Sequence, residues 1–358
     1  MIQVHGFTCK ESVQLLENNH FYNLPTALAL FSAALIGAML SANVSAASDV
    51  LLQCASKTDN VERLSCYDAL NTNWLKLGSA ANRSFLTRSW DLDNRDDELF
   101  GEGQSPLRPH LVSYLIVRKS DAVNHYPNSP SHPAAAVSAD IEPTEVKFQI
   151  SEKAKILNHV DLNFWGLKGF RLWGAYTQQS SWQAFNAGNS SPFRETNYEP
   201  ELIASFSTGN DRGLKLINVG LVHQSNGLNL SASRSWNRVY LQGGWESETV
   251  SALLKGWWRV PESANNDDNP DIVNYVGRGE LSVRWEPLDH TQVVNLILRN
   301  NLSADPNRSF VQIDWATPVT VSYSTKLHIQ FTSGYGESLI DYNFYQTSLG
   351  VGVSFRDW

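Results

Sequence analysis

The sequence predicts an all-β protein: a twelve-stranded antiparallel transmembrane β-barrel with a small N-terminal periplasmic extension. Three observations point there. Twelve strand-like segments follow one another with turn signals between them, many near the roughly 9–11 residues that cross a bilayer at a tilt. The 12 tryptophans and 12 tyrosines exceed what a soluble domain needs and suit aromatic girdles at two membrane interfaces. Mean hydropathy is −0.30, and the one long apolar run, Leu24 to Leu40, lies near the N-terminus. A helical membrane protein is thereby excluded, whereas a barrel is not, because alternating strands produce no long apolar run.

In chain order, Leu24 to Leu40 followed by Ser41-Ala-Asn-Val-Ser-Ala46-Ala47 reads as an apolar signal core and a small-residue cleavage site, the alternative being a buried helix or anchor. Residues 1–46 are therefore assigned to a signal peptide region. Cleavage removes Cys9 and leaves Cys54 and Cys66, which export would join in one disulfide. Residues 47–110 form the expected periplasmic extension. Its first part, to about 75, has Leu51, Leu52, Val61, Leu64, Tyr67 and Leu70 at helical spacing, and 76–110 is polar and irregular. The barrel domain is 111–358, with strands expected at 112–120, 145–157, 170–185, 197–208, 214–226, 234–246, 250–260, 277–287, 291–301, 308–319, 326–336 and 342–355. The Pro/Ser/Ala-rich stretch Asn124 to Pro143 reads as a long loop. An even strand number is what an exported bacterial barrel requires. The excess of 36 acidic over 28 basic residues argues against nucleic acid as a partner.

Two neighbouring strands carry candidate chemistry in His223-Gln-Ser225-Asn-Gly227 and Ser233-Arg-Ser-Trp-Asn237-Arg. Residues i and i+2 of a strand share a face, so His223 and Ser225 are neighbours, and Asn237 reaches them from the next strand. A serine attacks a carbonyl when a base takes its proton and a third group holds the base. Ser225, His223 and Asn237 supply nucleophile, base and orienter. Ile217, Val219, Leu221, Val239 and Leu241 share their parity, so the set lies on the apolar face. In a soluble protein that face would be core; in a membrane barrel it meets lipid. Catalysis at a lipid surface is the implication. If the first strand rises from the periplasm, the set lies at the outer leaflet. No carboxylate lies between His223 and Asn237, and the next one, Glu246, has the opposite parity.

The chain resembles the outer membrane phospholipase A family over most of 110–358. The resemblance is carried by Tyr114-Leu-Ile, Val146-Lys-Phe-Gln, Ala175-Tyr-Thr-Gln178, Ser190-Ser-Pro-Phe-Arg-Glu-Thr-Asn-Tyr-Glu-Pro200, the two blocks above, Asp267-Asp-Asn-Pro-Asp-Ile272 and Gly334-Tyr-Gly-Glu-Ser-Leu-Ile-Asp-Tyr-Asn-Phe344. It implies an outer membrane enzyme that hydrolyses acyl esters of phospholipids and lysophospholipids, requires calcium and acts as a homodimer. The implied calcium ligands are the Ser233 hydroxyl, the Leu228 backbone oxygen and, from the second subunit, the Ser190 backbone oxygen. Family members can carry arginine at the position of Leu228 and aspartate at that of Leu230, so a second calcium position is in question. Gln178 matches a polar residue of the family's dimer interface.

Two rival readings stand beside this one: a catalytically inactive structural or porin-like barrel, and a soluble secreted esterase. The acidic run Asn266-Asp-Asp-Asn-Pro-Asp271 lacks the ligand spacing of an EF-hand and is expected to be a solvated surface loop.

Overall fold

The computed structural model describes residues 54–67, 83–96, 107–134, 140–288, 291–319 and 322–355. The expected signal region, 1–46, lies outside them, as do 47–53, 68–82 and 97–106 of the extension. The chain divides into two compact units, Met1–Lys76 and Leu77–Trp358. In the first, Cys54 and Cys66 form the expected disulfide, with Cα atoms 5.5 Å apart. Residues 60–67 are helical, capped by the Asp59 carboxylate, which accepts from the Val61 and Glu62 N–H groups at 2.9 Å.

The second unit is one antiparallel sheet closed on itself. A short β1 (Arg108–Pro109) precedes twelve barrel strands: β2 (Ser113–Ser120), β3 (Thr144–Phe164), β4 (Leu167–Trp182), β5 (Phe193–Ser207), β6 (Gly213–Ser225), β7 (Ser235–Glu246), β8 (Val250–Arg259), β9 (Gly279–Trp285), β10 (Val293–Asn300), β11 (Ser309–Val319), β12 (Ser322–Gly334) and β13 (Gln346–Phe355). Each pairs with its sequence neighbour, and β13 pairs with β2 to close the ring. Closure leaves no open edge among the twelve.

Every expected strand is present. The main departure is β3, which runs to Phe164 where the sequence pattern predicts an end near 157. Trp165 and Gly166 both have positive φ, 49° and 81°, the conformation that turns a tight hairpin, so 156–164 folds back on β4 past the bilayer-length core.

Alternation sorts the side chains. Arg118, Lys147, Ser151, Lys153, Arg171, Glu201, Asn218 and Gln242 point inward and are buried, while Leu115, Val117, Leu202, Leu221, Leu241 and Leu349 point outward and are exposed. A polar lumen with an apolar exterior is the inverse of a soluble β-protein. Exposed aromatic residues gather towards the strand ends: Trp165, Trp245, Trp285 and Phe355 at one end, and Trp182, Phe193, Trp258 and Tyr345 at the other. The first end carries short turns, such as 165–166 and 247–249; the second carries the long loops 121–143, 260–278 and 335–345.

Within 76–110, the described residues 83–96 depart from expectation. Phe85–Trp90 is a helix packed in the lumen at the short-turn end. Six residues cannot hold a helix in water; this one is held by barrel side chains. The Leu86 N–H donates to Glu246 at 2.7 Å, and Lys215 donates to Ser84 and Thr87. Trp90 packs edge-on against Trp173. After the helix, Asp91 pairs with Arg83 at 3.0 Å and Lys155 at 2.7 Å. Burial pushes the Asp91 carboxyl up, but hydrogen bonds from Asp96 and Lys155 and the charges of Lys155 and Arg171 outweigh it and hold the group below its ordinary range. The polar residues of 83–96 have their partners inside the barrel rather than in solvent.

Candidate active site on the outer barrel wall

The β6–β7 ladder sets the geometry. His223 is paired directly with Asn237, Leu221 with Val239, and Ser225 with Ser235. His223 and Ser225 are two residues apart on one face, and that face is the exterior: Val219, Leu221 and Leu241 beside them are exposed. The intervening residues point inward. Arg238 stacks on Trp236 with its guanidinium 4.2 Å from the ring and pairs with Glu199 at 3.1 Å. Gln224 and Arg238 line an interior cavity of about 700 Å³, which is therefore separated by the barrel wall from the candidate catalytic groups.

His223 Nδ1 lies 2.9 Å from Asn237 Oδ1. An amide oxygen only accepts, so Nδ1 carries the proton and Nε2 is the basic nitrogen. On its other side, the Asn237 Nδ2 group donates to Glu262 Oε1 at 3.1 Å. Glu262 was not among the sequence candidates. The signal that leads to it is ladder parity: the Val260 N–H donates to the Asn237 carbonyl at 2.8 Å, continuing the β7–β8 pairing past Arg259, and Glu262 follows two residues on.

The loop 226–234 between β6 and β7 is organised by Asn226, which is buried. Its Oδ1 accepts from the Leu228 and Arg234 N–H groups at 3.3 and 3.0 Å, and its Nδ2 donates to the Ala232 carbonyl at 2.8 Å. The buried Arg234 donates to the Ser231 and Ser233 carbonyls at 3.0 and 2.6 Å. Burial pulls its guanidinium down from the ordinary range, against the opposing charge of Asp268. Gly227 has φ +64°, and a Cβ there would come within 2.9 Å of the Tyr198 ring. Tyr198 is the β5 residue paired with Ser225, so that ring, the turn and the serine form one contact group.

The three residues implied as calcium ligands occupy two loops. Leu228 and Ser233 lie in loop 226–234; Ser190 is exposed on the β4–β5 loop with φ 59°. The Ser233 hydroxyl donates to Asp268 Oδ2 at 2.5 Å. The other oxygen of Asp268 is 2.8 Å from His132 Nε2. The expectation that the acidic run 266–271 is a solvated surface loop is corrected here. Asp267 pairs with Arg259 at 2.5 Å, Asp271 accepts from the Tyr342 hydroxyl, and Asn269 is fully buried and accepts from the Ser235 N–H at 3.0 Å. The run is anchored because its carboxylates have cations and hydroxyls to meet on neighbouring elements. Among the described residues no group of three or more His, Cys, Asp and Glu side chains is placed to hold a metal. The donors available near Ser233 are oxygens: its own hydroxyl, the Asp268 carboxylate and loop carbonyls.

Gln178 lies on the outer face of β4, where its Oε1 accepts from Tyr176 at 3.1 Å and its Nε2 donates to Ser180 at 3.4 Å.

A profile of the phospholipase A1 family matches residues 86–355, a span that takes in the inner helix as well as the barrel. A putative phospholipase A1 of Neisseria meningitidis is 30% identical over 371 residues, covering 87% of this chain and 92% of that protein. Phospholipase A1 of Escherichia coli K12 is 35% identical over 257 residues, covering 70% of this chain and 82% of its own length. The solved outer membrane phospholipase A from Escherichia coli superposes with a TM-score of 0.62 at 33% identity, over 74% of this chain and 97% of that one. A Salmonella typhi outer membrane phospholipase, solved as a dimer with bound calcium, gives a TM-score of 0.61 at 32% identity, again over 74% and 97%. A closed twelve-strand barrel with a polar lumen and an apolar exterior, matched along almost its whole length at these identities, is an outer membrane phospholipase: the chain belongs to the phospholipase A1 family.

Proposed function

We propose that the enzyme cleaves acyl ester bonds of phospholipids and lysophospholipids with Ser225 as nucleophile, His223 as general base and Asn237 as orienter, at the outer leaflet. The observation that carries this reading is the 2.9 Å contact between His223 and Asn237 on the lipid-facing wall, with Ser225 on the same face. His223 Nε2 takes the Ser225 proton as Oγ attacks the ester carbonyl. The Ser225 backbone N–H stabilises the developing oxyanion, an interaction worth about 3 kcal/mol or more per donor. The same imidazolium then protonates the leaving alcohol. Water, activated by His223, releases the fatty acid and restores the serine. Asn237 holds the ring in one tautomer throughout, although an amide stabilises imidazolium less than a carboxylate does.

The long loops support the outward orientation, since barrels of this kind carry short turns on the periplasmic side. The donors around Ser233 fit calcium, a hard cation that takes oxygen ligands. Ser233 and Asp268 would hold it together with the Leu228 carbonyl, and the partner subunit's loop would complete the set through its Ser190 carbonyl. When bound, the ion supplies positive charge near the developing oxyanion. The calcium-bound dimer of the Salmonella typhi relative supports both calcium and the homodimer here.

The test is fatty acid release from phospholipid by detergent-refolded protein, in calcium and in chelator, beside Ser225→Ala. Calcium-dependent release that disappears in the variant is expected. A folded, dimeric, calcium-loaded protein that releases nothing would leave an inactive barrel as the reading.

A further inference from the structure

We infer that Glu262 is a positioning residue for the catalytic set, acting through Asn237. This rests on the reading of Asn237 as the residue that holds His223.

Asn237 is at the centre of a chain of two hydrogen bonds. Its Oδ1 faces His223 Nδ1 at 2.9 Å and its Nδ2 faces Glu262 Oε1 at 3.1 Å. A primary amide can turn over, presenting either end to the ring with little change of shape. Presented with nitrogen, it offers a donor to Nδ1; the ring must then carry its proton on Nε2 and cannot accept one from serine. Glu262, as an ionised carboxylate, only accepts. It selects the orientation in which nitrogen faces outward and oxygen faces the imidazole. The position is fixed by backbone, since the Val260 N–H to Asn237 carbonyl bond extends the β7–β8 ladder and sets Glu262 diagonally across from Asn237 on the outer face. Glu262 is only half-buried, so water competes for the contact and the effect of losing it is moderate.

The same geometry suits an amide as orienter. Aspartate at 237 would stand at hydrogen-bond distance from a second carboxylate, and two carboxylates at that separation cannot both ionise freely. Asparagine is the isosteric side chain that accepts from His223 and donates to Glu262 together. Glu262 touches not the histidine but the residue that touches it, a relation that no spacing around His223 marks.

The test uses full-length refolded enzyme with phospholipid in mixed micelles, with folding of each variant checked by its mobility on unheated gels. Asn237→Ala is the reference, and a fall in its kcat establishes the orienter. Glu262→Ala should then lower kcat about three- to tenfold with KM unchanged. Glu262→Gln keeps an acceptor oxygen and should recover most of that loss. Adding Glu262→Ala to Asn237→Ala should cost nothing more. Independently of the alanine variants, Asn237→Asp should gain activity when combined with Glu262→Gln. If Asn237→Ala lowers kcat while Glu262→Ala does not, or if Asn237→Asp is as active alone as with Glu262→Gln, the inference is overturned. If Asn237→Ala leaves kcat unchanged, the orienter reading itself falls.

Discussion

His223 and Asn237 occupy directly opposed positions of the β6–β7 ladder, and their side chains meet at 2.9 Å on the lipid-facing side of the wall. The catalytic geometry therefore depends on strand register: a slip of one residue in either strand would turn that strand's member of the pair into the lumen. Replacing Asn237 by alanine leaves the ladder intact and removes both the acceptor for His223 and the donor to Glu262. A loss of about 100-fold in kcat, with folded gel mobility retained, is the expected outcome. Steady-state kinetics on mixed micelles measures it.

Gly227 serves two requirements at once. Its φ of +64° is unfavourable for residues with a Cβ, and the Tyr198 ring occupies the space a methyl would need. Gly227→Ala should shift the turn that follows Ser225 and lower kcat on the order of tenfold while the barrel folds. Gly227→Ala with Tyr198→Ala should recover part of this, since the second change removes the contact but not the backbone strain.

Calcium binding should respond to the carboxylates near Ser233. Asp268→Asn removes the charge that meets the Ser233 hydroxyl, and calcium affinity should fall about tenfold or more. Leu230→Asp should raise it. Leu230 has φ +52° and is 82% exposed in the same loop, a conformation that aspartate tolerates better than leucine. Isothermal titration of calcium into each refolded protein reads both effects; unchanged affinity in Asp268→Asn would remove it from the ligand set.

The inner helix should be separable from the barrel. Glu246 holds the Leu86 N–H at 2.7 Å and Lys215 at 3.1 Å. Glu246→Ala leaves a buried amine short of its counter-charge, a loss of about 3–5 kcal/mol in comparable cases. Hydrogen exchange should speed up across 85–90 and remain slow in β6 and β7.

Loop 335–345 should loosen in acid. Glu337 is fully desolvated, which pushes its carboxyl up, but the charge of Arg118 at 2.5 Å and that of Lys147 at 3.0 Å outweigh burial and hold it at about 2. The folded value is depressed below the ordinary 4.5, so its contribution is complete above 4.5 and is lost as pH falls from there towards 2. Protection of this loop against hydrogen exchange should decline over that window. Glu337→Gln should show the loosened state already at neutral pH.

Much of this protein is determined locally. Period-two alternation located all twelve strands, because one face of each meets lipid and the other a polar lumen, and the parity of His223, Ser225 and Asn237 with Val219, Leu221 and Leu241 placed them outside. The disulfide was legible for a different reason: export leaves Cys54 and Cys66 as the two cysteines available to pair. What tertiary structure alone decided are the contacts made by residues whose sequence surroundings carry no period. Phe85–Trp90 looked irregular because its partners, Glu246 and Lys215, are on distant strands. Asp268 looked solvated until loop 260–278 brought it to Ser233, and Glu262 became a neighbour of Asn237 only through the β7–β8 pairing. Periodicity encodes which face a residue takes, because that depends on the solvent each face meets. Which side chain lies opposite depends on ring closure and loop path, and these are properties of the whole chain.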